Sequence, residues 1–149
     1  MSVVSPIFSI ILPVFNAAQT LERTLESLQG QMLRDFELIL VDDGSTDGSS
    51  QIAERFAATD ARIRVFRKAN GGVASARNEA LRHVRGRYVT FCDADDCPAS
   101  DWLQAFADAM ADNDVVEGMR SVTEMVYDGV SCAATASCKA VPMSAPRFM

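Results

Sequence analysis

The segment FELILVDDGSTDGSS, residues 36–50, joins an apolar run to a polar stretch that contains two glycines. The apolar run at 36–41 indicates a short strand. The polar stretch that follows predicts a turn, because glycine permits a tight change of direction and capping residues are abundant. A helix is then expected at 49–58. Its inward-facing residues are Ile52, Ala53 and Phe56.

The same alternation begins earlier in the chain. A nearly continuous, β-branched apolar run at 8–14 predicts a strand buried on both faces. The helix after it should carry a single apolar stripe. That stripe is Leu21, Leu25 and Leu28. Asn16 is expected to cap this helix, with Gln19 at the third helical position, and Gly30 is expected to end it.

The alternation also continues toward the C-terminus. Strands are predicted at 62–67 and 88–91, with a loop at 68–72 and a helix at 73–84 between them. A further helix opens near Pro98. Its apolar face is Trp102, Leu103, Phe106 and Met110. A fifth strand is also considered at 114–122. The pattern predicts an α/β domain with a largely parallel sheet and helices on its faces.

The chain of 149 residues is long enough for one domain, which we place at 1–122. The remaining segment, 123–149, has no sustained periodicity and is expected to be an irregular tail. The formal net charge of −6 argues against nucleic acid as a partner, because a phosphate backbone requires a basic surface. A small polyanionic ligand would need a metal ion to supply positive charge.

The sequence offers no sign of export. The N-terminal apolar stretch lacks a basic region and is interrupted by Pro13, and no run reaches the roughly 20 residues of a membrane span. The expected compartment is therefore the cytoplasm, with peripheral attachment to the inner face of the membrane left open. The cysteines are expected to be reduced thiols, since their spacing fits no common zinc site. They are Cys92, Cys97, Cys132 and Cys138.

Polar clusters follow three of the four predicted strands, at 13–16, 42–47 and 93–96. Because ligands of parallel sheets bind beyond the carboxyl ends of the strands, these clusters should converge on one edge. Asp93 and Asp95 lie two residues apart, so both carboxylates can reach one site. Such carboxylates suit Mg²⁺ or Mn²⁺ together with phosphate oxygens. The alternative is a solvated turn whose aspartates cap the next helix.

Four segments together resemble the N-terminal half of a family 2 glycosyltransferase. They are FSIILPVFNAAQTLERTLESLQGQ, FELILVDDGSTDGS, NGGVASARNEAL and GRYVTFCDADD, in that order along residues 7 to about 122. The resemblance implies the nucleotide-diphospho-sugar transferase fold, known as GT-A and similar to a Rossmann sheet. It also implies a nucleoside diphosphate sugar, usually a UDP-sugar, as donor.

The resemblance assigns a base pocket and its polar partner. Pro13, Val14 and Phe15 match the segment that lines the base, usually uracil. Asp43 matches the aspartate that hydrogen-bonds the base, and Asp42 supports the turn.

The resemblance also assigns residues near the diphosphate. Arg77 and Asn78 match an Arg-Asn pair at the nucleotide, although a surface arginine and a local cap are the alternative reading. Asp93, Ala94 and Asp95 match a D-x-D motif. In the family the first aspartate tends to contact the ribose and the second binds the metal, so Mn²⁺ or Mg²⁺ is expected at Asp95 and Asp93.

The implied reaction is a single displacement with inversion at the anomeric carbon, in which a separate carboxylate acts as general base. In the family that base belongs to an acceptor-binding half, and nothing after residue 122 matches it. The acceptor, whether glycan, lipid or protein, is therefore unknown. The alternative function is a non-catalytic module or scaffold that binds UDP or a UDP-sugar. An open sheet edge would favour self-association in either case.

Overall fold

The computed structural model describes residues 5–110 and the backbone of two short strands further on. Within these ranges the chain alternates between strand and helix up to the fourth helix. The elements are β1 Phe8–Val14, α1 Leu21–Gln29, β2 Phe36–Asp42, α2 Ser49–Thr59, β3 Ile63–Arg67, α3 Val73–Leu81, β4 Tyr88–Phe91, α4 Trp102–Met110, β5 Met125–Tyr127 and β6 Val130–Cys132. The predicted α/β class is confirmed.

The first four strands form one parallel sheet in the order β3-β2-β1-β4. The central strands β1 and β2 are buried along their whole length, as their apolar sequences predict. β4 lies at the edge of the sheet as far as the described residues go, and its Val89 and Phe91 are about two-fifths exposed. β5 and β6 form a separate antiparallel pair.

The helices lie on both faces of this sheet. Residues of α1, α2 and α4 pack on one face around Ile10, Leu12 and Leu40, whereas α3 packs on the other face against Ile11 and Ile39. The chain moves outward from β1 to β3 and then returns past β1 to reach β4. Because parallel crossovers are right-handed, this reversal requires α3 to lie opposite α1 and α2.

Two details of the predicted helices were wrong. Asn16 does not cap α1, which begins at Leu21 after a short turn. Its backbone is left-handed (φ 48°), and its side chain accepts a hydrogen bond from the amide of Thr46 instead. α3 ends at Leu81 rather than 84. Leu81 and Val73 are both about half exposed, because only Ala76 and Ala80 lie against the sheet.

Several predictions fall largely outside the described residues. The considered strand at 114–122 lies wholly outside them. The tail at 123–149 is described only at β5 and β6, so the boundary at 122 stays a prediction. No helix in the described part of the chain is both long enough and apolar enough to span a bilayer.

At the end of the sheet opposite the aspartate clusters, a buried carboxylate bonds to neighbouring strands and to the segment that precedes β4. Glu37 accepts hydrogen bonds from Ser9 Oγ (2.6 Å), the amide of Arg85 (2.7 Å) and Arg64 Nη1 (3.0 Å). Burial alone would raise the pKa of Glu37, but these donors outweigh it and hold the pKa below its ordinary value. Next to Arg85, a Cβ on Gly86 would lie 2.6 Å from the Ser9 amide nitrogen, so glycine permits the close entry of β4.

We expect Glu37→Gln to lower the free energy of unfolding at pH 7 by about 1–3 kcal/mol, because the variant loses hydrogen bonds to a charged acceptor. The folded pKa of Glu37 is depressed, so its stabilisation is present above the unfolded pKa of about 4.3 and is lost as the pH falls through the folded value. The difference in the free energy of unfolding between Glu37→Gln and the parent should therefore become smaller below about pH 4. Urea unfolding measured across pH checks this.

Glu26→Gln is the matched control, since Glu26 is exposed on α1 and its side chain bonds nothing in the described residues. It should leave unfolding nearly unchanged. Equal stability of the Glu37→Gln variant and the parent at pH 7 would contradict the role given to this carboxylate.

Candidate functional site

The loops that follow β1 and β2 are joined by hydrogen bonds from three consecutive residues of the first loop. Three of these bonds run from Asn16 N to Ser45 Oγ (2.9 Å), from Ala17 N to Ser49 Oγ (2.9 Å) and from Ala18 N to Asp47 Oδ2 (3.0 Å). A fourth bond runs in the opposite direction, from Thr46 N to Asn16 Oδ1 (2.9 Å). The left-handed backbone of Asn16 turns the chain away from β1 and toward this partner loop. The carboxyl ends of the two strands are thus held as one surface.

Asp42, the last residue of β2, is almost completely buried. Its carboxylate accepts hydrogen bonds from the amide of Ser45 (2.9 Å) and the hydroxyl of Ser50, and Arg67 Nε lies 3.5 Å away. Burial would raise the pKa of Asp42, but these serine donors lower it. Asp42 therefore closes its own turn and holds the start of α2.

Asp43 is also almost completely buried, and it holds the loop that follows β3. Its carboxylate accepts hydrogen bonds from Lys68 Nζ (2.7 Å) and from the amides of Gly71 (3.0 Å) and Gly72 (2.7 Å). Burial is again outweighed, so the pKa of Asp43 stays below its ordinary value. A close approach is needed, since a Cβ on the neighbouring Gly44 would lie 2.9 Å from the Asn70 amide nitrogen.

Two clefts adjoin at the carboxyl ends of the strands and share Pro13 and Phe15. The first, which we call the apolar cleft, has a volume of about 340 Å³. Its other lining residues are Val14, Asp43, Asn70, Gly72, Val73 and Ala76. The second, the acidic cleft, has a volume of about 580 Å³. Its other lining residues are Asn16, Ala17, Gln19, Thr20, Asp47, Ala94 and Asp95. Phe15, half exposed, lies where the two clefts meet.

The acidic cleft is bounded by the turn that follows β4. Asp95 is exposed in this turn, and Asp93 forms a salt bridge with Arg77 Nη2 at 2.9 Å. Burial, and then repulsion from Asp93 and Asp95, raise the pKa of Asp96, against the opposing hydrogen bond from the Asp93 amide. Arg77 also lies over the ring of Phe91, and its Nε is buried without a partner in the described residues.

The structure brings most of the predicted site residues to this edge of the sheet. Pro13, Val14, Phe15 and Asp43 line the apolar cleft, and Ala94 and Asp95 line the acidic cleft. Asp93 and Arg77 form a pair beside it, and Asp42 lies buried beneath the loops. Asn78 is not brought in, because its side chain is exposed on α3 and lines neither cleft. Their roles in binding stay predictions.

Sequence reasoning missed the contribution of the loop after β3. Lys68, Asn70 and the two glycines that follow were given no individual role, yet they surround Asp43 and complete the apolar cleft. The signal was present, since 68–72 follows a parallel strand and must lie at the same edge as the other three clusters. Asp47 was read as a capping residue, but it also lines the acidic cleft.

The donor set suits a hard cation that receives further ligands from a bound molecule. Among the residues described, no three His, Cys, Asp or Glu side chains form a ready metal cluster. Asp93 and Asp95 offer carboxylate oxygens two residues apart, and Asp95 is open to the acidic cleft. Mg²⁺ commonly takes one or two carboxylates plus substrate phosphates, so these residues fit such an ion.

Comparison with known proteins shows the family of this chain. The sequence model of the family described as Glycosyl transferase family 2 matches residues 9–128. The chain belongs to this family. The Bacillus subtilis (strain 168) glycosyltransferase EpsJ is 44% identical over 108 residues, which cover 72% of this chain and 31% of that protein. This chain thus spans about a third of the length of that family 2 relative.

Solved structures show the same family 2 fold. S. aureus TarS 1–349 in complex with UDP-GlcNAc superposes with a TM-score of 0.67 at 32% identity, covering 72% of this chain and 32% of that 1–349 chain. The mannosyltransferase PcManGT from Pyrobaculum calidifontis, in complex with GDP-Man and Mn²⁺, gives a TM-score of 0.68 at 33% identity, covering 76% and 35%. The predicted GT-A fold is confirmed for the N-terminal portion of such a transferase.

We expect Asp43→Asn to loosen the loop at 68–72, because the amide keeps one acceptor oxygen and turns a donor toward Lys68 and the glycine amides. Loss of charged hydrogen bonds worth about 1.5–3 kcal/mol should speed hydrogen exchange at Gly71 and Gly72 by about 10- to 100-fold. Exchange followed by NMR measures this.

Asp35→Asn provides the control, since Asp35 is exposed and precedes β2 at the far end of the sheet. Exchange at the two glycines should not change in that variant. Unaltered protection in Asp43→Asn would mean that the carboxylate does not hold the loop.

Proposed function

We propose that the two clefts bind the nucleoside diphosphate part of a sugar donor, and that the chain supplies the donor-binding half of an inverting, metal-dependent glycosyltransferase. The observation that carries this proposal is the position of Asp95. It lines the same cleft as Pro13 and Phe15, so the motif after β4 adjoins the segment that resembles the family's base pocket. The cleft lies where the strand order reverses between β1 and β4, which is the usual ligand site of such sheets.

The apolar cleft is proposed to hold the base. Its volume of about 340 Å³ and its lining by Pro13, Val14 and Val73 suit a flat aromatic ring. The half-exposed ring of Phe15 offers a stacking surface at the mouth. The carboxylate oxygens of Asp43 already accept hydrogen bonds from Lys68 and two amides, so a base that donates to Asp43 would have to share these oxygens or shift the loop.

The base is proposed to be uracil, as the resemblance implies. TarS was solved with UDP-GlcNAc and PcManGT with GDP-Man, at nearly equal identity to this chain. The relatives therefore support a nucleoside diphosphate sugar in general, and direct competition between UDP and GDP is the test of the base.

The acidic cleft is proposed to hold the diphosphate and the sugar. Asp93 and Asp95 would hold Mn²⁺ or Mg²⁺, an ion that PcManGT carries as Mn²⁺ beside GDP-Man. When bound, the ion supplies a Lewis acid for the leaving diphosphate. Arg77 already neutralises part of the charge of Asp93, and its contact with a phosphate oxygen is proposed from the resemblance.

The transfer step requires a group that the donor half does not provide. The acceptor hydroxyl must lose a proton as it attacks the anomeric carbon, and a carboxylate is the expected base. In this proposal the acceptor-binding site and the general base belong to a part of the transferase that the described residues do not include. Donor binding without transfer is the alternative function, and the chain's match to only about a third of EpsJ favours testing the two separately.

We expect UDP to bind the chain more tightly in the presence of Mn²⁺, and Asp95→Asn to remove most of that gain, because the variant deletes a charged oxygen ligand. A fall of about 10- to 100-fold in the Mn²⁺-dependent part of the affinity is expected, as for one charge-assisted contact of about 1.5–3 kcal/mol. Calorimetric titration with and without Mn²⁺ measures both terms.

Asp108→Asn removes an exposed carboxylate on α4 and serves as the matched control, which should titrate like the parent. Equal UDP affinity in all combinations of metal and variant would sink the metal assignment. Tighter binding of GDP than of UDP would transfer the proposal to a guanine nucleotide.

A further inference from the structure

We propose that Thr20 and Thr24 of the α1 region are positioning residues that hold the aspartate turn after β4 in its ligand-binding form. The proposal rests on the donor-binding function proposed above and names side chains outside the D-x-D motif. Thr20 Oγ1 and Thr24 Oγ1 each donate a hydrogen bond of 2.9 Å to the same acceptor, the carbonyl oxygen of Ala94. Ala94 is the residue between Asp93 and Asp95.

The two hydroxyls form a clamp because of their spacing in the chain. Residues four apart on a helix lie on one face, so Thr20 and Thr24 present their hydroxyls side by side. Thr24 is fully buried, and Thr20 lines the acidic cleft. Each hydroxyl also approaches a carbonyl of its own segment, but at longer distances of 3.4 and 3.3 Å. The shorter bonds, both to Ala94, are the stronger ones.

The turn needs such a clamp because it has left the sheet. The amide of Cys92 bonds to Ile11 O, the last sheet-like contact before the acidic residues. Beyond it the turn is closed by its own bond from Asp96 N to Asp93 O (3.1 Å) and by the two threonine hydroxyls. Fixing the Ala94 carbonyl fixes the peptide plane between Ala94 and Asp95, and therefore the direction in which Asp95 leaves the backbone.

The clamp also opposes electrostatic repulsion within the turn. Three carboxylates lie within four residues, and two like charges about 4 Å apart repel by about 1 kcal/mol even in water. Without a fixed backbone, the turn could relieve this repulsion by rotating Asp95 away from the acidic cleft. The two threonine hydroxyls thus hold the backbone of the acidic turn, so that its carboxylates keep the orientation needed to bind a cation.

The test compares paired variants in which the hydroxyl is removed at nearly constant shape. Thr20→Val/Thr24→Val deletes both donors, whereas Thr20→Ser/Thr24→Ser keeps both. Thr59→Val is the matched control, because its hydroxyl bonds a carbonyl of α2 far from the turn. For each protein we would measure the UDP dissociation constant with and without Mn²⁺, and hydrogen exchange at the amide of Asp96, which bonds Asp93 O.

We expect the valine pair to lose about tenfold of the Mn²⁺-dependent gain in UDP affinity, measured against its own affinity in the absence of metal. Exchange at the turn should quicken by a similar factor, and the serine pair should restore both values. If the valine pair does not fold, the partly exposed Thr20→Val alone should show a smaller change of the same kind.

The two hypotheses fail in different ways. A parent chain whose UDP affinity ignores Mn²⁺ would overturn the proposed function, whatever the threonine variants do. A parent that responds to Mn²⁺, with a valine pair that responds equally, would overturn the clamp alone and leave the threonines a purely structural role.

Discussion

The burial of two adjacent carboxylates at the end of β2 is the constraint on which the rest of the site depends. Asp42 and Asp43 are nearly inaccessible to water, and an unpaired buried charge is prohibitively costly. Asp42 bonds the turn after β2 at Ser45 and the start of α2 at Ser50. Asp43 bonds the loop after β3 through Lys68 and two glycine amides. The loops beside the apolar cleft are therefore held by charges that cannot be left unsatisfied.

The aspartates after β4 contrast with those after β2, although both groups end a parallel strand. The β2 pair is saturated by internal donors, and the pKa of each is held low. In the β4 turn, Asp95 is exposed, and the pKa of Asp96 is raised by burial and by its acidic neighbours. The carboxylates of Asp42 and Asp43 accept hydrogen bonds from donors within the protein, whereas the exposed carboxylate of Asp95 can still accept a cation. In the proposed function, this difference in saturation separates the acids that hold the fold from the acids that would meet a ligand.

Periodicity predicted the sheet because buried strands and amphipathic helices leave a direct mark on the order of residues. Leu21, Leu25 and Leu28 face the core as their spacing required, and three strand-end clusters meet at one edge. Contacts between distant segments left no such mark. Asn16 is a plausible helix cap by sequence, but it bonds the loop after β2, thirty residues away. The sequence analysis gave no role to the two threonines, because their partner carbonyl is seventy or more residues further on.

This chain matches about a third of the length of EpsJ, and the position of the clefts explains how so short a span could carry the proposed donor site. Every described residue that lines either cleft comes from the span between Pro13 and Asp95. This span contains the central strands, the reversal of strand order and the buried carboxylates that fix the loops. Recognition of a nucleoside diphosphate is therefore proposed to reside in these residues, whereas the proposed inverting displacement needs a base for the acceptor hydroxyl on the opposite face of the sugar. The two tasks are separable in space, so donor binding can be measured on this chain independently of transfer.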